Sequence, residues 1–257
     1  MITWVGLAVS VLLVVVAAGL SAALGLRIER DIVVAALRMA VQLAVVGGLL
    51  TLVVSPHRTI WWSWLWVVLM VGYAADVTAR RSPAVPGLRW VSLAAFGAAS
   101  VVTLGVIFGL RVFPVNGRTV VPIAGMMVGN SMTATVLAGR RVVEEIADKR
   151  EQVEARLALG HDTAAVCRPY VRAALRSALL PQIEKTKAIG IVFLPGAMTG
   201  LILAGVSPAE AVRVQAVVMF LVLAAAATTT VVVAVGVARR LFTADLRLAD
   251  TVPRPAQ

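Results

Sequence analysis

The sequence predicts an all-α integral membrane protein, a bundle of about seven transmembrane helices, and three observations carry that prediction. Of its 257 residues 60% are apolar and the mean hydropathy is +0.92, which leaves too little polar surface to cover a soluble core. Charge-free runs occupy 3–26, 90–110, 119–139, 188–209 and 214–238, with shorter ones at 39–55 and 59–75; a spanning helix needs about 20 such residues. The basic residues sort by side. With the N-terminus outside and the C-terminus in the cytoplasm, 20 of the 24 lysines and arginines fall on cytoplasmic segments, leaving Arg58, Arg111, Arg118 and Arg213 outside. The net charge of +11 therefore reports topology, not a nucleic-acid partner.

The first helix ends where Arg27, Glu29, Arg30 and Asp31 mark the inner surface, and without a basic leader or a small-residue cleavage site it is expected to be retained. The second, 32–54, carries Arg38, close enough to the inner end to snorkel. Gln42 lies one turn deeper and serves either a helix-packing hydrogen bond or a substrate contact. Pro56 and His57 make an outer turn before the third helix, 59–75. Trp4, Trp61, Trp62, Trp64 and Trp66 fall near the outer face, where indoles favour the headgroup level; packing of the 61–66 cluster inside the bundle is the alternative. Asp76 and Arg80 have the spacing of a helical ion pair at the inner interface, and Ser82, Pro83, Pro86 and Gly87 form a short inner loop. The fourth, fifth and sixth helices carry the pairs Gly105 and Gly109, Gly125 and Gly129, and Gly196 and Gly200, which suit tight packing or a dimer seam.

The middle of the fifth helix is polar, with Asn130, Ser131, Thr133 and Thr135. An asparagine near mid-membrane must find hydrogen-bond partners, so Asn130 is the first candidate for a pore-facing residue, with an interhelical bond as the alternative. The helical pattern continues past Gly139 as a stalk, with Val142, Ile146, Val153 and Leu157 on one stripe. Gly160 suits the position after its end, Asp162 or Thr163 the next N-cap, and Pro169 is expected to start a second helix. Arg168, Arg172 and Arg176 stack like charge every four residues and need an acidic partner, water or lipid phosphate. In the sixth helix Pro195 and Gly196 predict a kink lining a cavity, with Thr199 as a further substrate-path candidate. The seventh carries Gln215 and the cluster 228–230. The single cysteine, Cys167, cannot make an intrachain disulfide and reads as a small apolar residue.

No Gly-Lys pair occurs, so the chain lacks the phosphate loop of ATP-hydrolysing enzymes. Two histidines and one cysteine, far apart, make no zinc site. The mid-membrane positions hold essentially no ionisable group, which argues against a proton-coupled carrier or a membrane hydrolase. What remains is a membrane part that takes its energy through the polar segment 140–187, followed by a C-terminal tail at 239–257.

The core of that segment, Glu154 and Ala155, a leucine-rich turn, Gly160, then Leu180 and Pro181, is close to the loop by which an ATP-binding-cassette permease presents a short helix to its ATPase. Together with VPIAGMMVGNSMTA in the fifth helix, RSALLPQIEKTKAIGIVFLPGAMTGLILAG, VSPAEAVRVQAVVMF and the weaker RMAVQL at 38–43, it resembles the FetB family of permeases, named for iron export. The resemblance covers nearly the whole chain. It implies a single permease domain over 1–257, a homodimer in the cytoplasmic membrane paired with two separate ATPase subunits that bind the ATP, and export of a metal; plant relatives are associated with aluminium tolerance. It places ATPase docking on Glu154, Ala155, Leu159, Gly160 and the segment through Arg168, Arg172 and Arg176, although the distance from Gly160 to Pro181 exceeds the general pattern. Gln42, Asn130, Ser131, Thr133, Pro195, Gly196 and Thr199 are the substrate-path candidates read from the residues. Asn, Ser, Thr and Met without a carboxylate cluster fit a chelated or organic substrate as well as iron; the methionines, Met126, Met127, Met132 and Met198, read as flexible packing or as soft-metal ligands. A stand-alone carrier or channel, or a scaffold recruiting a cytoplasmic partner, is the alternative.

Overall fold

The computed structural model describes residues 4–53, 59–243, 245 and 247–249. The outer turn expected at Pro56 and His57, Arg58, and the tail from 250 onward with Arg254 lie outside the described residues. The chain divides into two compact units, 1–58 and 59–257.

The first unit is a helical hairpin of α1 (Trp4–Ala23) and α2 (Glu29–Val53). Its turn needs two residues at positive φ, Gly25 at 64° and Arg27 at 56°, a region glycine enters without penalty and arginine rarely. Ser21 fastens the turn: its hydroxyl donates to Glu29 (3.0 Å) and accepts from the Ile28 amide (3.3 Å). Leu12, Leu13, Val15, Leu37, Val41 and Leu43 are all exposed, and helices that present so many apolar side chains outward belong in lipid.

The second unit contains α3 (Trp61–Arg80), α4 (Leu88–Gly109), α5 (Gly117–Asp148), α6 (Arg150–Ala158), α7 (Thr163–Ala188), α8 (Gly196–Leu203) and α9 (Pro208–Arg240). No strand occurs among the described residues. α9 is the hub, packed against α4, α5, α7 and α8, while α5 also packs on α3 and α7. Two apolar layers result. One gathers Phe96, Leu104, Val120, Met127 and Val222 between α3, α4, α5 and α9; the other gathers Leu88, Val142, Ile146, Val153, Tyr170 and Val233 where α6 and α7 join the bundle. The stripe expected on the stalk is buried, with Val142, Ile146 and Val153 fully so and Leu157 packed against them, but the stalk is not one helix: it breaks at Lys149 between α5 and α6. The Asp76 ion pair also forms, at 2.7 Å to Arg80, with Arg89 at 3.7 Å.

Among the described residues five helices, α2, α3, α4, α5 and α9, are long and apolar enough to cross a membrane, and the apolar stretch Ala8–Ala23 of α1 is shorter. The sixth span expected at 188–209 is not one helix. α7 runs on to Ala188, Gly190 turns the chain at φ 95°, and Pro195 becomes the N-cap of α8, an eight-residue helix that at 1.5 Å per residue is only about 12 Å long. The kink expected at Pro195 and Gly196 is thus a helix start. Gly205, at φ 91°, closes α8 before Ser207 caps α9, whose first turns extend past Arg213 and Gln215.

Pro169 does not start a helix either. Asp162 caps the Ala164 amide (3.2 Å) and α7 runs unbroken through Pro169 and Pro181. The buried face of Val166, Cys167 and Tyr170 holds the first turns against the bundle, and that packing outweighs the donor that proline removes.

Of the glycine pairs, only Gly125 approaches another element, with a Cβ there 2.9 Å from the Met70 methyl; Gly105, Gly109, Gly129, Gly196 and Gly200 face open space. Close approaches lie instead at Gly87, beside Arg240, at Gly139, beside Leu88, and at Gly236, beside Val91.

Candidate functional site

α5 and α7 run side by side because the chain reverses at 159–162, and this brings Asn130 of α5 to Lys185 of α7. The α5 start is fixed by a reciprocal cap: Asn116 accepts from the Thr119 amide (3.1 Å) and the Thr119 hydroxyl accepts from the Asn116 amide (3.4 Å). Further along, the Asn130 side-chain amide donates to the Met126 carbonyl (2.7 Å), which leaves its oxygen to accept from the Lys185 ammonium at 3.2 Å. The two residues border a cavity of about 260 Å³ whose lining mixes the polar Thr133 and Gln182 with Ala134, Leu137, Ala178 and Pro181. Lys185 also lies 5.8 Å from the Phe193 ring centroid. Its neighbour Glu184 is engaged by Lys187 at 2.8 Å, and no ion pair to Lys185 occurs among the described residues. The cavity therefore presents one cation with two amides and a hydroxyl on an otherwise apolar wall, polar groups suited to ligand oxygens carrying negative charge.

The sequence candidates separate against this geometry. Asn130 and Thr133 line the cavity. Ser131 points the other way, fully buried and donating to the Met127 carbonyl (2.7 Å), as Thr135 does to that of Ser131 (2.8 Å). Pro195, Gly196 and Thr199 belong to α8, where the Thr199 hydroxyl donates to the Pro195 carbonyl (3.4 Å), and they do not line this cavity. Gln42 belongs to α2 in the first unit. Lys185 and Gln182 were not among the sequence candidates. The only signal pointing to them was a polar run after Pro181 that continues as helix directly into an apolar stretch.

The second feature is the reversal itself. α6 is anchored from beneath by Val153 and Leu157, and its outer face carries Glu154 and Ala155, with Glu154 held by Arg150 at 2.8 Å. The helix ends in a Schellman motif: the Gly160 amide donates to the Leu157 carbonyl (2.9 Å) and the His161 amide to that of Arg156 (3.2 Å). That geometry requires the αL conformation of Gly160, φ 81°. Leu159, 77% exposed, and Gly160, with nothing within 4 Å of a Cβ position, form the tip.

The arginines expected to dock with the same partner lie further along α7. Arg168 and Arg172 turn toward Arg239 of α9 around a separate cavity of about 700 Å³, and Arg176 does not line it. Cys167 sits in that cavity wall, its thiol pushed up to about 11 by burial and, secondarily, by the Asp162 charge. Among the described residues no group of three His, Cys, Asp or Glu is placed to hold a metal ion.

The profile of the uncharacterised protein family UPF0014 matches residues 4–242. The chain belongs to that family. Its relatives include the UPF0014 membrane protein STAR2 of Oryza sativa subsp. japonica, 38% identical over 208 residues, 80% of this chain and 72% of the relative. Protein ALUMINUM SENSITIVE 3 of Arabidopsis thaliana is 34% identical over 82% of this chain and 77% of its own length. The "Probable iron export permease protein FetB" of Escherichia coli K12 is 31% identical over 86% of this chain and 85% of its own. These matches agree with the family resemblance read from the residues, and the chain is a multi-pass membrane protein of that family. No solved structure matches it at a significant level.

Proposed function

We propose that this chain is the membrane-spanning subunit of an ATP-binding-cassette exporter: two copies pair with two separate ATPase subunits that dock on the α6–α7 reversal. In this reading the N-terminus lies outside, the reversal and the C-terminus lie in the cytoplasm, and the membrane is the cytoplasmic one. The chain itself hydrolyses no ATP and binds no cofactor. The observation that carries the reading is the exposed tip of Leu159 and Gly160 on a helix whose opposite face is locked into the core through Val153. A push on such a tip is transmitted to α5 and α7 as rigid elements, which is what coupling to an ATPase requires.

The substrate path runs past Asn130, Thr133, Gln182 and Lys185. A bare metal cation is repelled by an unpaired lysine, whereas a metal carried with anionic or oxygen-rich ligands is attracted. Iron, named in the FetB relative, would on this reading cross as such a complex. Co-expression with the cognate ATPase and reconstitution into vesicles test the proposal. Replacing the exposed Leu159 with aspartate is expected to leave the chain folded and abolish substrate-stimulated ATP hydrolysis. Undiminished stimulation in that variant, or solute movement in vesicles without any ATPase, would overturn it and favour a stand-alone carrier.

A further inference from the structure

The cavity of about 700 Å³ between the start of α7 and the end of α9 has a divided lining: Arg168, Arg172 and Arg239, all exposed, form its rim, and the half-buried Val171, Leu175 and Phe242 its floor. No carboxylate pairs with any of the three guanidinium groups among the described residues. Asp162, whose charge acts on Cys167 in the cavity wall, caps the Ala164 amide at 3.2 Å and forms no ion pair with them. Like charges gathered on one rim repel and are tolerated where an anion sits between them. The position matters equally. α9 carries no charge from Val214 to Ala238 and ends on Arg239 and Arg240, so the rim lies where a membrane helix meets water.

We propose that this cavity binds one anionic phospholipid, its phosphate held by Arg168, Arg172 and Arg239 and an acyl chain lying over Val171, Leu175 and Phe242. Guanidinium forks match phosphate oxygens two at a time, and the apolar floor selects a ligand with a tail over free phosphate. The lipid then ties α7 to α9 and steadies the segment that leads from the reversal to Lys185. This assignment does not depend on an ATPase partner.

The test uses the full chain, purified in detergent and delipidated, and titrated with phosphatidylglycerol, phosphatidylcholine or inorganic phosphate. Native mass spectrometry counts bound lipid, and the alkylation rate of Cys167, the single cysteine and a lining residue, reports where it binds. With each guanidinium contributing as a basic residue does near an anionic surface, phosphatidylglycerol is retained at roughly hundredfold lower concentration than phosphatidylcholine, and it slows Cys167 alkylation. The triple variant R168Q/R172Q/R239Q loses both the preference and the protection, while R168K/R172K/R239K keeps the larger part of each. The single variant R239Q, which leaves α7 untouched, loses several-fold on its own and serves if the triple does not fold. Equal retention of the two lipids, unaltered protection in the glutamine variants, protection by inorganic phosphate alone, or protection only by an added ATPase subunit would each overturn the assignment.

Discussion

Replacing Gly236 with alanine tests whether α9 is the hub of the second unit. A Cβ there lies 2.6 Å from Val91 Cγ1, 3.5 Å from Cγ2 and 3.6 Å from Cβ, against an ordinary carbon contact of about 3.5 to 4.0 Å. Val91 is 7% exposed, and its β-branched side chain is stiff about χ1. The overlap of roughly an ångström must then be relieved by moving α4 away from α9, a cost of about 1 to 3 kcal/mol. Against this stands the gain of about 1 kcal/mol for alanine over glycine in a helix. Gly125 is the control. Its Cβ would meet only the terminal methyl of Met70, at 2.9 Å, which a flexible thioether moves aside, so Gly125→Ala is neutral or stabilising by up to about 1 kcal/mol. Reversible unfolding in mixed micelles with rising dodecyl sulfate mole fraction should rank Gly236→Ala below wild type and Gly125→Ala at or above it. The double variant V91A/G236A should show a favourable coupling of about 1 kcal/mol or more. A Gly236→Ala chain as stable as the Gly125→Ala chain, with no coupling to Val91, would refute the packing account.

Lys185→Gln is expected to keep the fold, because the side chain is exposed, and to weaken an anionic substrate by about tenfold or more, the value of a hydrogen bond to a charged group; Lys185→Arg should retain most of it, and transport in reconstituted vesicles reads both. Asp76→Asn removes contacts to Arg80 and Arg89, whose side chains are 79% and 66% exposed, so unfolding should shift by less than about 1 kcal/mol. Cys167 should react with iodoacetamide at pH 8 about a hundredfold more slowly than a free thiol, the rate rising with pH until about 11. Its folded value lies above the ordinary thiol value of 9.0, so the unfolded chain ionises first and stability falls as pH climbs from 9 toward 11.

The apolar runs made most of the helices legible, because lipid demands long uninterrupted segments and charges mark their ends. The stalk stripe, the Gly160 stop, the Asp162 cap and the Asp76 pair were legible for the same reason: each is set by neighbours within one or two helical turns. What failed depended on distant packing in one place and on local turns in another. Pro169 reads locally as a start, yet burial of Val166, Cys167 and Tyr170 sets the helix earlier. The run 188–209 reads as a span, but Gly190, Pro195 and Gly205 each impose a turn that hydropathy does not weigh. In the site, Asn130 could be singled out because a mid-helix asparagine needs a partner. The identity of that partner, Lys185, 55 residues away, follows only from α7 folding back along α5. The glycines at Gly139 and Gly236 likewise match no spacing motif, since what makes them necessary is a leucine and a valine on α4.

The central claim, that an ATPase docks on the α6–α7 tip, is met most directly by purifying the tagged chain from its native membrane in mild detergent and identifying what accompanies it by mass spectrometry. The account predicts an ATP-binding-cassette ATPase subunit that co-purifies with the wild-type chain and is lost when Leu159 and Gly160 are replaced, with the chain's own elution unchanged. A chain that emerges intact without any ATPase, or one that keeps the ATPase after the tip is altered, would contradict it.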